Sequence, residues 1–159
     1  MVTVTDTNDE PPTYTAGDTT PSVVEGTTAV DSAVAITDTD TGDNNACALG
    51  GADAADFTCT VSATQYVLAF AATPNYESPV DADTDNEYVV TVTISDGTNT
   101  GATVTYSAIT VTDVNDQTPA VTVAATYSQA EAGATTFQAF TMVDTDTAGS
   151  YDCTIGGTD

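Results

Sequence analysis

The sequence predicts an all-β protein built from tandem repeats of a two-sheet sandwich, and three observations lead to this prediction. Residues 87–95 alternate apolar and polar side chains with period two and are rich in β-branched residues, as in a half-buried strand. Clusters of Gly, Pro, Asn and Asp separate this segment from several similar ones. Two stretches of the chain also match each other at a spacing of 106–107 residues, which is about the length of one sandwich domain.

Further strand patterns fill the middle of the chain. They occupy residues 2–6, 22–25, 33–37, 45–49, 56–61, 65–70 and 102–113. Without residues 2–6 and together with residues 87–95, these give about seven strands between residues 11 and 116, the number in an immunoglobulin-like Greek-key sandwich. No segment of the sequence has helical periodicity.

The internal repeat predicts the domain boundaries. The matches are residues 2–9 with 109–116, Asp38 and Asp40 with Asp144 and Asp146, Glu25 with Glu131, and Cys47 with Cys153. A repeat of about 106 residues is typical of a tandem array. We therefore expect the last strand and linker of one repeat in residues 1–10, a complete repeat in residues 11–116, and the start of a third in residues 117–159.

The charge of the chain excludes several functions. It has 24 acidic residues and no Lys, Arg or His. Nucleic acid is excluded as a partner because phosphate binding needs protein cations. The absence of His and Lys excludes Ser/His or Cys/His catalysis, imidazole sites for zinc and Schiff-base chemistry. No apolar run reaches the roughly 18–20 residues of a membrane span, so no membrane insertion is expected in this segment.

The same charge indicates a role for cations. No carboxylate can pair with a basic side chain, so folding brings like charges together and destabilises the compact state. Ca²⁺, which prefers carboxylate and carbonyl oxygens, is the natural counter-charge. The alternative is that acidity serves only solubility or salt tolerance, and the placement of the acids decides between the two.

The cysteines allow two interpretations. Cys47 and Cys59 lie on neighbouring predicted strands, twelve positions apart, and a disulfide between them suits an oxidising, extracellular setting. Cys153, as the counterpart of Cys47, would then have its partner past residue 159. The alternative is a pair of free buried thiols that act as small apolar side chains.

The acidic residues cluster where predicted strands end. Residues 6–9 and 113–116 both have the form Asp-x-Asn-Asp, and each is followed by a proline. Asp38 and Asp40 lie on the same side of an extended segment. A Ca²⁺ ion takes about six to eight oxygens, which short convergent elements of this kind supply.

These motifs, in this order and spacing, resemble the cadherin repeat, especially the cadherin-like repeats of microbial surface proteins. The resemblance covers almost the whole chain. It also rests on Glu25 after Val24, on Asn44 after the two aspartates, and on residues 74–77 leading to residues 88–97. It implies the cadherin type of sandwich, an extracellular or cell-surface location, and Ca²⁺ ions between neighbouring repeats of the same or identical chains.

The resemblance also implies which residues bind Ca²⁺ at two junctions. The first junction would use Asp6, Asn8 and Asp9 from the linker and Asp38, Asp40 and Asp96 from the complete repeat. The second would use Glu25, Asn75 and Glu77 from the complete repeat, Asp113, Asn115 and Asp116 from the linker, and Asp144 and Asp146 from the third repeat. Asn75 stands where the family usually has Asp, which removes one charge and keeps an oxygen.

Residues 81–86 form a separate acidic loop. Its Asp-x-Asp-x-Asp start resembles that of an EF-hand loop, but its sixth residue is Asn86 and its twelfth is Val92, so the EF-hand pattern is not met. The loop either is a solvated hairpin, which the unmet pattern favours, or holds one extra ion.

These features together predict a structural or adhesive stalk, or a filament segment, that Ca²⁺ makes rigid, and no enzymatic activity.

One alternative is homophilic adhesion; the adhesive cadherins that swap a first strand anchor it with Trp, and this chain has none. A carbohydrate-binding module is another, and it would need an exposed aromatic cluster. The enzyme alternative is a hydrolase that pairs Glu25 with Glu77. A cell-surface or matrix ligand is a further possible partner.

Overall fold

The computed structural model describes residues 1–41, 44–123, 140–146, 151–152 and 154. The chain divides into two compact units, Met1–Thr112 and Asp113–Asp159. The all-β prediction is confirmed: the described residues contain ten strands, one short 3-10 turn and no α-helix. Of the sequence-based predictions, those for Glu131 and Cys153 lie outside the described residues.

The first unit contains eight strands. They are β1 (Thr13–Tyr14), β2 (Ser22–Val24), β3 (Ala29–Thr37), β4 (Ala46–Gly50), β5 (Phe57–Val61), β6 (Gln65–Phe70), β7 (Glu87–Ser95) and β8 (Val104–Thr112), with a 3-10 turn at Ala54–Asp56. The predicted strand at residues 2–6 is wrong, because this segment pairs with no strand in the described chain. Its alternation is that of a strand, but a strand exists only where a neighbour takes its backbone hydrogen bonds.

The eight strands form two four-stranded sheets. One has the order β1-β3-β6-β5 and the other the order β2-β8-β7-β4. All pairings are antiparallel except that of β2 with β8, which is parallel. The first strand of the sandwich is therefore split, with β1 in one sheet and β2 in the other, and β4 and β5 form edges of their respective sheets.

The core lies between the two sheets. Its fully buried side chains come from alternate positions of three strands: Tyr66 and Leu68 on β6, Tyr88, Val90, Val92 and Ile94 on β7, and Tyr106 and Ile109 on β8. On β8 the alternation changes phase, since Tyr88 pairs with Ile109 while Val90 pairs with Tyr106. A bulge with one extra residue on β8 accounts for this change.

A chain of hydroxyl groups satisfies the buried tyrosines. Tyr106 donates a 2.9 Å hydrogen bond to Asp31 Oδ2, and its hydroxyl lies 3.1 Å from that of Tyr66. Burial, together with the hydrogen bond to Tyr66, raises the pKa of Tyr106 far above its ordinary value of 10. Both phenols therefore stay protonated at neutral pH, where the Tyr106 hydroxyl serves as a donor inside the core.

A disulfide joins the two sheets at one edge. Cys47 on β4 is bonded to Cys59 on β5, with 6.2 Å between their Cα atoms, so the predicted disulfide is confirmed and the free-thiol alternative is wrong. The bond connects strands that share no backbone ladder, since β4 pairs with β7 and β5 pairs with β6. It therefore holds the sheets together where no other strand covers the edge.

Replacing both Cys47 and Cys59 with alanine is expected to lower the free energy of unfolding by about 3 kcal/mol, because the open chain gains the entropy of a loop of about a dozen residues. The measurement is urea denaturation of the variant and the oxidised protein. Adding a thiol reductant to the variant should change nothing further. An equal midpoint for variant and wild type would contradict the stabilising role of the bond.

Candidate metal centre

The N-terminal linker is held against the first unit by an aspartate that the sequence singled out. Asp40 Oδ2 accepts hydrogen bonds from the backbone amides of Asp9, at 2.9 Å, and Glu10, at 2.8 Å. Asp38, two residues earlier, accepts a 3.1 Å bond from the Asp40 amide through Oδ1. The two carboxylates thus follow β3 directly and join its end to the linker.

A second set of bonds ties the linker to the same end of the unit. Asp6 Oδ2 accepts bonds from the amide and the hydroxyl of Thr41, both at 2.9 Å. Asn8 Oδ1 accepts a 3.0 Å bond from Asn99 Nδ2. Of the linker residues predicted for the first junction, Asp9 bonds to Asp40 through its amide, while Asp6 and Asn8 bond to Thr41 and Asn99 at the same end of the unit.

Asp96 completes this end of the unit. It follows β7, is 3% exposed, and accepts bonds from the amides of Thr98, at 2.7 Å, and Asn99, at 2.6 Å. Burial alone would raise the pKa of Asp96, but these amide bonds outweigh burial and lower it below its ordinary value. The carboxylate is thus charged at neutral pH, as a Ca²⁺ ligand must be.

The oxygens at this end fit a hard cation. The Oδ2 atom of Asp38 is buried and accepts no hydrogen bond from the described residues. Such an oxygen is costly without a partner, and carboxylate and amide oxygens are the ligands that Ca²⁺ prefers. In the part of the chain that the structure describes, however, no three carboxylates of this end meet within 4.8 Å. Asp40 and Asp6 instead accept backbone amide hydrogen bonds through Oδ2.

The second unit repeats this arrangement on its own residues. Asp146 Oδ2 accepts a 2.8 Å bond from the Gln117 amide, as Asp40 does from Glu10. The Asp146 amide donates to Asp144 Oδ1 at 3.2 Å, as the Asp40 amide does to Asp38. The linker side chain of Asp116 accepts a 2.6 Å bond from Gln117 Nε2.

The strand pairing of the second unit repeats as well. Its strands β9 (Ala120–Thr122) and β10 (Thr141–Val143) pair antiparallel, with Ala120 opposite Val143. In the first unit Thr13 of β1 lies opposite Thr37 of β3. The spacings are those of the sequence repeat, 107 residues for β1 and β9 and 106 for β3 and β10.

The predicted ligands for the second junction are divided between the two units. In the first unit Glu25 is 7% exposed and accepts a 2.8 Å bond from the Tyr76 amide, which places it beside Asn75 and Glu77. Asn75 itself is exposed and Glu77 is half-buried. Asp113, Asn115 and Asp116 belong to the second unit, with Asp144 and Asp146. That all these side chains share one ion remains a prediction.

The loop at residues 81–86 contains a cluster of carboxylates within the first unit. One oxygen each from Asp81, Asp83 and Asp85 lies within 4.8 Å of the others. Asp81 is 3% exposed, whereas Asp83 and Asp85 are exposed. Of the two interpretations of this loop, the geometry favours the one in which it holds an ion.

Sequence reasoning missed Asp53, which is only 4% exposed. Its carboxylate accepts a 2.8 Å bond from the Ala82 amide through Oδ1 and a 2.6 Å bond from the Val89 amide through Oδ2. Gly51, with φ of 101°, turns the chain toward β7, and a Cβ there would lie 2.7 Å from the Val89 carbonyl oxygen. A glycine pair two positions before Asp53 was the one available signal, and it is equally typical of a solvated turn.

The comparisons with known proteins concern the fold. The structure of the protocadherin gammaB7 EC3-6 cis-dimer has a TM-score of 0.58 and 22% identity, and the match covers 91% of this chain and 35% of that one. The structure of protocadherin Gamma B2 extracellular cadherin domains 1-5 has a TM-score of 0.59 and 20% identity, covering 91% of this chain and 28% of that one. This chain thus spans about a third of the length of each.

The predicted resemblance is confirmed at the level of the fold: the chain has the cadherin type of β-sandwich. No protein-family model matches the sequence, and no curated protein matches it significantly. Among the described residues, no helix is long and apolar enough to cross a membrane.

Proposed function

We propose that this chain is a segment of an extracellular adhesive stalk or filament, in which Ca²⁺ ions at the junctions between successive repeats make the array rigid. Its role in this proposal is mechanical and not enzymatic. The residues proposed to bind the ions are the fourteen that the resemblance to cadherin repeats implies. The proposed repeat boundaries remain residues 1–10, 11–116 and 117–159.

One observation carries the proposal: the bond between linker and repeat occurs twice, in the same register. Asp40 accepts from Glu10 in the first unit, and Asp146 accepts from Gln117 in the second. The recurrence supports a junction that the array builds repeatedly.

The chemistry of the donors supports Ca²⁺. Asp146 is 8% exposed, and its Oδ1, like Oδ2 of Asp38, accepts no hydrogen bond from the described residues. The chain supplies no basic side chain to either. Without an ion, the carboxylates at a junction repel one another and weaken the joint. When bound, Ca²⁺ would supply the positive charge that links linker and repeat.

The exposure of the aromatic side chains bears on the carbohydrate-binding alternative. All seven aromatic residues of the first unit are described, and each is buried or half-buried. Three of them, Tyr66, Tyr88 and Tyr106, are fully buried. A stacking platform for a sugar ring would need exposed aromatic faces, and the described residues of the first unit offer none.

The test uses a tandem chain in which residues 1–116 are followed by a second copy of residues 10–116, which preserves the spacing of the linker. Small-angle X-ray scattering with millimolar Ca²⁺ should give a larger maximum dimension and a narrower distance distribution than scattering with a chelator. Rigid joints in series give an extended array, whereas flexible ones give a broad ensemble.

Matched variants separate the junction from general charge effects. Asp116→Asn at the linker between the two copies should abolish most of the Ca²⁺-dependent change in dimension. Asp18→Asn, which removes one exposed charge away from the linkers, should leave it intact. If Ca²⁺ leaves the dimensions of the wild-type tandem chain unchanged, the stiffening mechanism is wrong and the acidic linkers are solvating surface.

A further inference from the structure

Residues 81–86 form a curled loop whose carboxylates converge. Thr84 and Asn86 have positive φ angles of 60° and 66°, which bend the chain back on itself. Asp81 Oδ2 accepts a 2.8 Å bond from the Asp85 amide and so closes the loop. One oxygen each from Asp81, Asp83 and Asp85 then lies within 4.8 Å of the other two.

Asp81 provides a second, independent observation. It is 3% exposed, and its Oδ1 is buried without a hydrogen-bond donor in the described part of the chain. Its carboxylate faces those of Asp83 and Asp85, since each contributes an atom to the same small volume. A buried carboxylate oxygen costs free energy unless a donor or a cation satisfies it.

The charge around the loop makes this requirement stronger. Asp53 accepts a 2.8 Å hydrogen bond from the Ala82 amide of the loop, and the negative charges of Asp53 and Asp81 both act on Asp56. The chain contains no Lys, Arg or His to offset these charges.

We propose that this loop is a separate binding site for one hard divalent cation, Ca²⁺ in an extracellular setting, held by Asp81, Asp83 and Asp85. The ion takes up the buried oxygen of Asp81 and offsets the repulsion among the three carboxylates. Hard cations bind such all-oxygen donor sets, and water completes the coordination on the exposed side.

The loop site is distinct from the first junction. The loop directly precedes β7, whereas Asp96 of the first junction directly follows β7. The two ends of this nine-residue strand are about 30 Å apart. The loop is connected instead to Glu25, one of the residues predicted for the second junction. Asn86 Nδ2 donates a 2.9 Å bond to the Tyr76 carbonyl, and the Tyr76 amide donates to Glu25. An ion in the loop therefore fixes the segment that positions Glu25.

Counting bound ions tests this site directly. Native mass spectrometry of the 159-residue protein in millimolar Ca²⁺ should show one ion fewer for Asp83→Asn/Asp85→Asn than for the wild type. Both substituted residues are exposed, so the variant should keep the circular dichroism spectrum of the wild type. The control, Asp18→Asn/Asp152→Asn, removes the same charge at two other exposed positions and should bind the full number.

The outcomes separate this site from the junctions. Loss of one ion in the loop variant, with the control unchanged, supports the loop site even where Asp116→Asn has no effect on ion number. An unchanged ion number in a folded loop variant overturns the proposal. An equal loss in the loop variant and the control also overturns it, because binding would then follow net charge and not this cluster.

Discussion

Replacing Asp53 with alanine is expected to lower the free energy of unfolding by about 3 kcal/mol, more than most single substitutions of an acidic residue. The Asp53 carboxylate accepts from the Ala82 and Val89 amides, and the Asp53 amide donates to the Val89 carbonyl at 3.2 Å. Asp53 thus extends the pairing of β4 with β7 beyond Gly50, using its side chain as a backbone substitute.

Alanine would remove both acceptors and keep only the amide. The Val89 amide lies in a half-buried part of β7, where an unpaired donor is costly, and the loop before β7 would lose the hydrogen bond from its Ala82 amide. Asp53→Asn is the matched control: it keeps one acceptor oxygen and removes a charge near Asp56, so its loss of stability should be smaller.

Urea denaturation of both variants in millimolar Ca²⁺ measures the difference. The expected order of unfolding midpoints is wild type, then Asp53→Asn, then Asp53→Ala. A midpoint for Asp53→Ala equal to that of the wild type would contradict the role assigned to this carboxylate and would make the two hydrogen bonds energetically neutral.

The importance of Asp53 illustrates what the sequence leaves open. Residues 65–70 and 87–95 were predicted with the bounds that β6 and β7 have, because strict alternation of apolar residues marks a strand with one buried face. Asp53 has no such pattern: its partner Val89 is 36 residues away, and nothing local distinguishes a buried carboxylate from a solvated one. Strand β1 was missed for a related reason, since two residues carry no period.

The candidate metal centre was predictable to a similar degree. The resemblance to cadherin repeats singled out Asp6, Asn8 and Asp9, and the structure shows Asp6 and Asp9 bonded to residues just after β3 and Asn8 bonded to Asn99 after β7. That these residues bind an ion stays a prediction. The linker motif and the repeat spacing did not predict that backbone amides would donate to Asp40, because that depends on the path of the linker. The acidic pattern of residues 81–86 was visible in the sequence. Only the burial of the Asp81 side chain, which the sequence does not reveal, distinguishes this loop from a solvated hairpin.

The metal-free protein is expected to become more stable as the pH falls through the raised pKa of Asp56 toward about 4, the reverse of ordinary acid denaturation. Burial raises the pKa of Asp56 above its ordinary value of 3.8, and the negative charges of Asp53 and Asp81 add a smaller increase. At pH values between 3.8 and the raised pKa of Asp56, the folded state binds more protons than the unfolded state. Stability therefore falls as the pH rises through this window.

Asp96 sets the lower limit of this effect. Because amide hydrogen bonds lower its pKa, its contribution to stability is complete above 3.8 and is lost as the pH falls through its folded-state pKa. The metal-free protein should thus have its highest melting temperature at acidic pH, close to the ordinary aspartate value, and should melt earlier on both sides.

Saturating Ca²⁺ is expected to reverse this pH dependence and to raise the melting temperature at neutral pH by about 10 °C or more. An ion at about 100 times its Kd stabilises the folded state by about 2.7 kcal/mol per site, and each kcal/mol moves the melting temperature of a domain this size by about 4–8 °C. Protons compete with Ca²⁺ for carboxylates, so the gain must shrink as the pH falls.

Calorimetry from pH 4 to 8, with chelator or with Ca²⁺, measures both effects, and NaCl at matched ionic strength is the control for screening. NaCl should raise the neutral-pH melting temperature by less than Ca²⁺ does. Screening weakens the repulsion between carboxylates but gives the buried oxygens of Asp38 and Asp81 no bound cation. If NaCl reproduces the whole Ca²⁺ effect, charge screening alone accounts for it and specific ion sites are contradicted. If Ca²⁺ exceeds NaCl at pH 7 and the difference disappears near pH 4, carboxylates that bind the ion and titrate in that range are its cause.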